Sequence, residues 1–306
     1  MAPNTTLWPI LGAGSMGCLL ACMTPQPASF LLRPGQSAPN HITYTNGQRE
    51  HQVTLGSLPD RHPPLSHLIL ACKTYDTQAA LEPWLPIIAP DCQILCLQNG
   101  MGHEERILPL LPKAQILYAS MTHGAYRLAP FSVFHAGQGQ LLFGNGHPTP
   151  STPWQQLCSE QWAIHWRADI HTLLWHKLAV NAVINPLTAL SGETNGQLLQ
   201  QPRLQAWLLP LCREIESVLI TLGIPLPQQG LQQLVGQVAQ ATSANRSSML
   251  QDRQAKRRTE VDAILGHLLR QGQLHGLQLP TCSWLAQQLQ ILPAGKFLTP
   301  WPLPPG

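Results

Sequence analysis

Charge is scarce in this chain of 306 residues: Asp, Glu, Lys and Arg together make up 11%, against roughly 25% in an average soluble protein. Surface polarity must therefore come from Gln, Ser, Thr, His and Asn. The net charge of +3 is too small and too dispersed to indicate a nucleic-acid partner. Apolar runs are short as well. No stretch reaches the roughly 20 apolar residues of a membrane span, and the N-terminus lacks the basic start and apolar segment of a signal peptide. None of the eight cysteines, at 18, 22, 72, 92, 96, 158, 212 and 282, forms a CxxC pair. Zinc ribbons and CxxC redox motifs are thereby excluded, and no metal site is expected. The CxxxC pairs Cys18/Cys22 and Cys92/Cys96 read as small core residues in a reducing compartment, the first on one helix face and the second in an apolar strand. A cytoplasmic enzyme without membrane or nucleic-acid partners is the expectation. The 44% hydrophobic content and the length suit two domains, and the 29 prolines are spread along the chain.

Glycine is placed where it carries meaning. Residues 7 to 20, LWPILGAGSMGCLL, read as a short apolar strand, a turn and an opening helix, the turn being Gly12-x-Gly14-x-x-Gly17. In such a turn the first glycine permits the tight bend, the second lets backbone approach a pyrophosphate, and the third lets the helix sit close on the sheet. Pro9 removes a ladder donor from the first strand, predicting a less regular edge, and Pro25 and Pro27 stop the helix early. The next strand, Ser29 to Leu32, ends in Arg33, where an NAD-binding fold carries an acid. Arginine there suits a 2′-phosphate, so NADP(H) is favoured. Leu65 to Cys72, leading into Lys73, and Gln93 to Leu97, leading into Asn99-Gly100, are continuous apolar runs of the kind found in buried parallel strands. Ligands lie beyond the C-termini of such strands. That places Lys73 near a phosphate or ribose and Asn99 near nicotinamide or substrate, with a plain turn at Asn99-Gly100 as the alternative. The stretch from Ile116 to Ala125 would close the cofactor crevice. No carboxylate pairs with His123 in the sequence, and a catalytic role is not assigned to it. The fold expected is α/β: an N-terminal Rossmann-like doubly wound sheet over 1–168, followed by a C-terminal all-helical domain over 169–306.

In that second half the pattern turns helical, with stretches near 171–190, 203–223, 227–243, 250–273 and 280–290. Such a layout places substrate in the cleft between the halves. Lys177, Asn181 and Asn185 stand at i, i+4 and i+8 in an apolar run and drift only about 80° around a helix axis. A charged amine and two carboxamides among apolar neighbours need partners or a cavity, which makes this stripe a candidate active-site wall. The competing reading has Lys177 snorkelling to solvent. Ser248 and Glu260 are twelve residues apart, about 18 Å along one straight helix and roughly 120° around it. Ser248 is therefore expected at or before a helix N-terminus, capping it, with Glu260 two to three turns further in. Arg253, Lys256, Arg257 and Arg258 read as a solvated face.

Gly12-Ala-Gly-Ser-Met-Gly17, Asn99-Gly-Met-Gly102, Lys177-Leu-Ala-Val-Asn181-Ala-Val-Ile-Asn185-Pro-Leu-Thr188, Ser247-Ser-Met-Leu-Gln-Asp252 and Thr259-Glu-Val-Asp262 occur in that order. Together they resemble ketopantoate reductase, from about residue 7 to residue 290. The resemblance implies reduction of 2-dehydropantoate to (R)-pantoate by NADPH. It implies Lys177 as proton donor, Asn99, Asn181, Asn185, Asn195 and Ser248 as substrate contacts, and Glu260 in contact with substrate or cofactor. Cofactor contacts implied are Gly12, Ala13, Gly14, Ser15, Met16, Gly17, Arg33, Lys73, Asn99 and Ala125. A monomer or homodimer is expected. Hydride transfer to a keto acid builds negative charge on the carbonyl oxygen, which a protonated lysine within hydrogen-bond reach would neutralise. The alternatives are a reductase of the same build acting on another 2-keto acid, and a non-catalytic NADP-sensing homologue.

Overall fold

The computed structural model describes residues 7–59 and 62–305. The chain divides into two compact units, one comprising the residues up to Gln98 with Gly102–His171, the other Asn99–Met101 with the residues from Thr172 onward. The first contains β1 (Trp8–Leu11), α1 (Ser15–Ala21), β2 (Ala28–Leu31), β3 (His41–Thr45), β4 (Glu50–Thr54), β5 (Leu65–Leu70), α2 (Thr77–Leu81) and β6 (Ile88–Cys96). There follow α3 (Glu104–Ile107), β7 (Gln115–Met121), β8 (Gly124–Ala129), β9 (Ser132–Gly137), β10 (Leu141–Gly144), α4 (Trp154–Leu157) and β11 (Ile164–Trp166).

A sheet ordered β11-β10-β7-β6-β5-β1-β2 forms the centre of this unit, parallel from β2 through β7. Its strands are continuously apolar because both faces are covered. Ile69, Leu95 and Leu117 belong to the core beneath α1, while the intervening Leu68, Leu70, Ile94 and Cys96 belong to the core on the other face. Cys18 and Cys92 are likewise buried. The prolines act as expected on α1, which ends at Ala21. The edge expected at Pro9 is not found: β1 is internal, paired with β2 on one side and β5 on the other. Trp8 donates its N–H toward β2 at Pro27 C=O, so Pro9 faces β5, where pairing begins only at Ile10↔Ile69. The ring N–H of His67 bonds the Leu7 carbonyl there, at 3.0 Å.

A second sheet, ordered β4-β3-β9-β8, was not expected. Its Ile42, Tyr44 and Val133 share the core beneath α1, and β3 pairs in parallel with β9 from far along the chain.

The second unit is helical: α5 (Ile170–Ser191), α6 (Pro202–Thr221), α7 (Leu231–Ala241), α8 (Ser248–Gln254), α9 (His267–Leu274) and α10 (Pro280–Ile291). Two carboxylates on α6 satisfy the N-termini of its neighbours. Glu214 accepts from the N–H groups of Thr281 and Cys282 at 2.7 and 2.9 Å, and Glu216 from that of Leu231 at 2.9 Å. The stretch expected as one helix over 250–273 is broken. After α8, Lys256 adopts a left-handed φ of 54°. The N–H groups of Lys256 and Arg257 return to the carbonyls of Arg253 and Asp252, a Schellman closure that ends the helix. The basic cluster is not wholly a solvated face. Arg253 is buried and donates to the carbonyls of Leu292, Pro293 and Lys296 at 3.2, 3.0 and 2.7 Å, because the segment after α10 needs donors for its orphan carbonyls. Arg257 pairs with Asp252 at 2.9 Å, and Lys256 and Arg258 are exposed.

Candidate active site

In the first unit the glycine turn follows β1, and its three glycines differ in what they avoid. A Cβ on Gly12, whose φ is 116°, would lie 2.4 Å from the Cys72 nitrogen, two residues past β5, and one on Gly17 would lie 2.1 Å from the Gly12 carbonyl oxygen. Both are required by packing of protein on protein. Gly14 is not: its φ is −75°, and the nearest atom to an added Cβ is the Ala71 oxygen at 4.0 Å. The fold leaves that space open, and it is the position at which backbone approaches a pyrophosphate. The turn thus fits a dinucleotide on its own geometry. Ser15 and Met16 open α1, which has no side-chain cap at Gly14 and no acid in its first turn.

Arg33 is exposed and two residues past β2; Lys73 is partly buried and precedes a single 3-10 turn, Thr74–Asp76, after β5. Ala125 lies on β8, partly buried. Sequence reasoning missed Arg127, two positions further along β8, whose Nη1 donates to the Ala13 carbonyl at 3.2 Å. The available signal was the alternation of a strand, which puts residues 125 and 127 on one face. His123 sits in a chain of neutral hydrogen bonds. Its Nε2–H donates to Trp162 C=O at 3.1 Å, leaving Nδ1 to accept from His135 Nε2–H and Gly139 N–H, each at 3.1 Å. The Tyr44 hydroxyl then donates to His135 Nδ1 at 2.9 Å. Burial lowers the pKa of both imidazoles.

In the second unit Lys177, Asn181 and Asn185 lie on the unbroken α5, the first two partly buried and Asn185 buried. Burial pushes the Lys177 ammonium down from 10.5 to about 8, opposed by the carboxylate of Glu260. Glu260 is itself buried, and it stands just before a π-helical turn, Asp262–Gly266, leading into α9. It is therefore not further along the helix of Ser248, as the spacing suggested, but beyond the break at Lys256. Asn99 belongs to this unit too. Met101 N–H bonds Ala263 C=O at 2.9 Å, and Gly100, at φ 87°, lies so close that a Cβ would meet the Ala263 oxygen at 2.4 Å. Asn99 and Glu260 thus flank two segments that are bonded together, and Glu260 acts electrostatically on Lys177.

The capping role expected of Ser248 falls to its neighbour. Ser247, not Ser248, caps α8: its Oγ accepts from Leu250 N–H at 3.1 Å. The same hydroxyl bonds Thr188 Oγ1 at 2.7 Å, while Thr188 donates to Ile184 C=O at 2.8 Å, tying α8 to α5. Ser248 is the exposed first residue of α8. Asn195 is buried, donating Nδ2–H to Thr242 Oγ1 at 2.9 Å, and its Oδ1 has no hydrogen-bond partner among the described residues. Among the described residues no group of three or more His, Cys, Asp or Glu could hold a metal, and no helix is long and apolar enough to cross a membrane.

Known proteins resemble this chain along most of its length. Residues 8–148 match the family model described as ketopantoate reductase PanE/ApbA, and residues 169–292 match its C-terminal counterpart. The 2-dehydropantoate 2-reductase of Vibrio cholerae is 32% identical over 289 residues, covering 92% of this chain and 96% of the relative. That of Bacillus subtilis is 35% identical over 292 residues, with coverage of 92% and 96%. The crystal structure of a PanE/ApbA family ketopantoate reductase from Ralstonia eutropha shares the fold, with a TM-score of 0.80 at 21% identity over 94% of this chain and 98% of that one. With both halves matched in order and relatives above 30% identity along nearly its whole length, the chain belongs to the ketopantoate reductase family.

Proposed function

We propose that this protein is an NADPH-dependent 2-dehydropantoate 2-reductase, forming (R)-pantoate for pantothenate and coenzyme A synthesis. The observation that carries the reading is Lys177: a partly buried lysine with its pKa pushed down by desolvation to about 8, opposed by the Glu260 carboxylate, on the helix that also presents Asn181 and Asn185. A lysine in that range is roughly nine-tenths protonated at pH 7 and gives up its proton more readily than an ordinary one, which suits a general acid.

NADPH, when bound, supplies the hydride. Gly12, Ala13, Gly14, Ser15, Met16 and Gly17 would hold its pyrophosphate, and Arg33 and Lys73 its phosphate side. Ala125 and Asn99 would make further contacts to it. Arg33 in place of an acid after β2 supports NADPH over NADH. Lys177 donates its proton to the substrate's carbonyl oxygen as negative charge develops there. Glu260 holds that ammonium charged and reaches the substrate hydroxyl or cofactor. Asn181 and Asn185 orient the amine and bind the substrate, Ser248 at the start of α8 receives its carboxylate, and Asn195 offers the carbonyl its bond to Thr242 leaves over. In this reading residues 1–168 serve the cofactor and 169–306 the substrate, with Asn99 lent from the first half, in a cytoplasmic monomer or homodimer.

The test is oxidation of NADPH with ketopantoate and a panel of other 2-keto acids, in wild type and Lys177→Ala. Expected is turnover of ketopantoate, with kcat in the variant lower by about 10² to 10⁴ and NADPH affinity unchanged. An unaltered kcat would remove Lys177 as the acid. Turnover of a different keto acid alone would reassign the substrate, and no turnover with any would favour a nucleotide-sensing role.

A further inference from the structure

Arg127 has no part in the reading above, yet it stands at the glycine turn. Its Nη1 donates to the carbonyl of Ala13, the residue between Gly12 and Gly14, at 3.2 Å. Arg127 and Ala125 lie opposite Val133 and His135 of β9, and Val133 shares a core with Ala13, Met16 and Ala125. That face of the small sheet is therefore turned toward the turn and α1.

The side chain is exposed, and among the described residues no carboxylate pairs with it. Of the five N–H donors of a guanidinium, one is spent on Ala13. Its charge reaches the turn's surroundings: burial raises the Cys18 thiol to about 11, and Arg127 opposes that rise. On the other side of the contact, Gly14 leaves open space, the nearest described atom beyond its chain neighbours, the Ala71 oxygen, lying 4.0 Å from an added Cβ, and no acid competes in the first turn of α1. A cation held beside an open, acid-free turn is suited to an anion, and the forked geometry of arginine matches phosphate oxygens.

We infer that Arg127 is a cofactor-binding residue whose guanidinium binds the pyrophosphate of the dinucleotide, a role that rests on the function proposed above. The anchoring carbonyl belongs to the turn that admits the pyrophosphate, whereas the 2′-phosphate is read after β2, at Arg33. The bond to Ala13 holds the guanidinium in place before the dinucleotide arrives, so less side-chain freedom is lost on binding.

Arg127→Met keeps the stem and removes the charge. Dissociation constants for NADPH and NADH are measured on the full chain by tryptophan fluorescence quenching, together with the ligand-free melting temperature. Both constants are expected to rise by about tenfold and by the same factor, with the melting temperature unchanged. Arg127→Lys should recover part of the loss. A rise confined to NADPH would assign the residue to the 2′-phosphate and overturn the inference. Unchanged constants would overturn it too, and with a lower melting temperature they would leave Arg127 as a structural tie between β8 and the turn. A wild-type protein that binds neither dinucleotide would instead overturn the proposed function, an outcome no Arg127 variant can mimic.

Discussion

Gly14→Ala is expected to separate folding from cofactor binding. The residue has φ −75° and ψ −178°, an extended conformation that alanine adopts without strain. The added methyl would meet its nearest neighbour, the Ala71 oxygen, at 4.0 Å, an ordinary van der Waals contact. With no clash and no strain, replacing glycine stabilises by about 0.4–1 kcal/mol, chiefly by restricting the unfolded chain. For a protein of this size that raises the melting temperature by roughly 1–4 °C. In the binding mode proposed above the same methyl fills the approach to the pyrophosphate, so NADPH affinity should fall by about hundredfold, equivalent to about 2.7 kcal/mol. Gly12→Ala and Gly17→Ala are the controls, since their methyls would lie 2.4 and 2.1 Å from backbone atoms. Both should melt well below wild type. Thermal melts without ligand and NADPH titrations on the three variants suffice. A Gly14→Ala protein that binds NADPH like wild type, or that melts several degrees lower, would refute the reasoning.

Two further outcomes concern protons. With Lys177 as the proposed proton donor, the reduction needs it protonated, so kcat should decline as pH rises through about 8. Glu260→Gln removes the carboxylate that opposes the effect of burial, lowering the Lys177 pKa and moving that decline to lower pH; a pH–kcat profile that keeps its position in the variant would break the link between the two residues. His123 and His135 are held below 6.5 by burial. The unfolded chain therefore binds more protons as pH falls below that value, and stability should be full above about pH 6.5 and decline beneath it. Melts at about pH 7.5 and about pH 5 should differ more in wild type than in a His123→Gln/His135→Gln double variant. Equal differences would argue against a neutral Tyr44–His135–His123 chain.

Much of the candidate site was legible because its signals are local. The glycine turn, the continuous apolar strands and the Lys177–Asn181–Asn185 stripe each follow from residues within one or two turns of one another. Chain spacing misled at Ser248 and Glu260. The periodicity runs on through 250–273, but the left-handed Lys256 ends α8 and returns Glu260 by another route. The basic run from Arg253 to Arg258 looked uniform, yet only Arg253 meets the unpaired carbonyls after α10.

The sequence by itself determined the class of fold, the glycine turn and the face of α5 that carries the lysine, since turn sterics and side-chain periodicity are written in contiguous residues. Only the tertiary structure decided what depends on partners distant in the chain. Tyr44 meets His135 across 91 positions through a sheet with no continuous apolar run to announce it. Arg127 reaches Ala13 across 114. The proton affinity of Lys177 is set by burial and by Glu260, and both exist only once packing has excluded water and brought that carboxylate near.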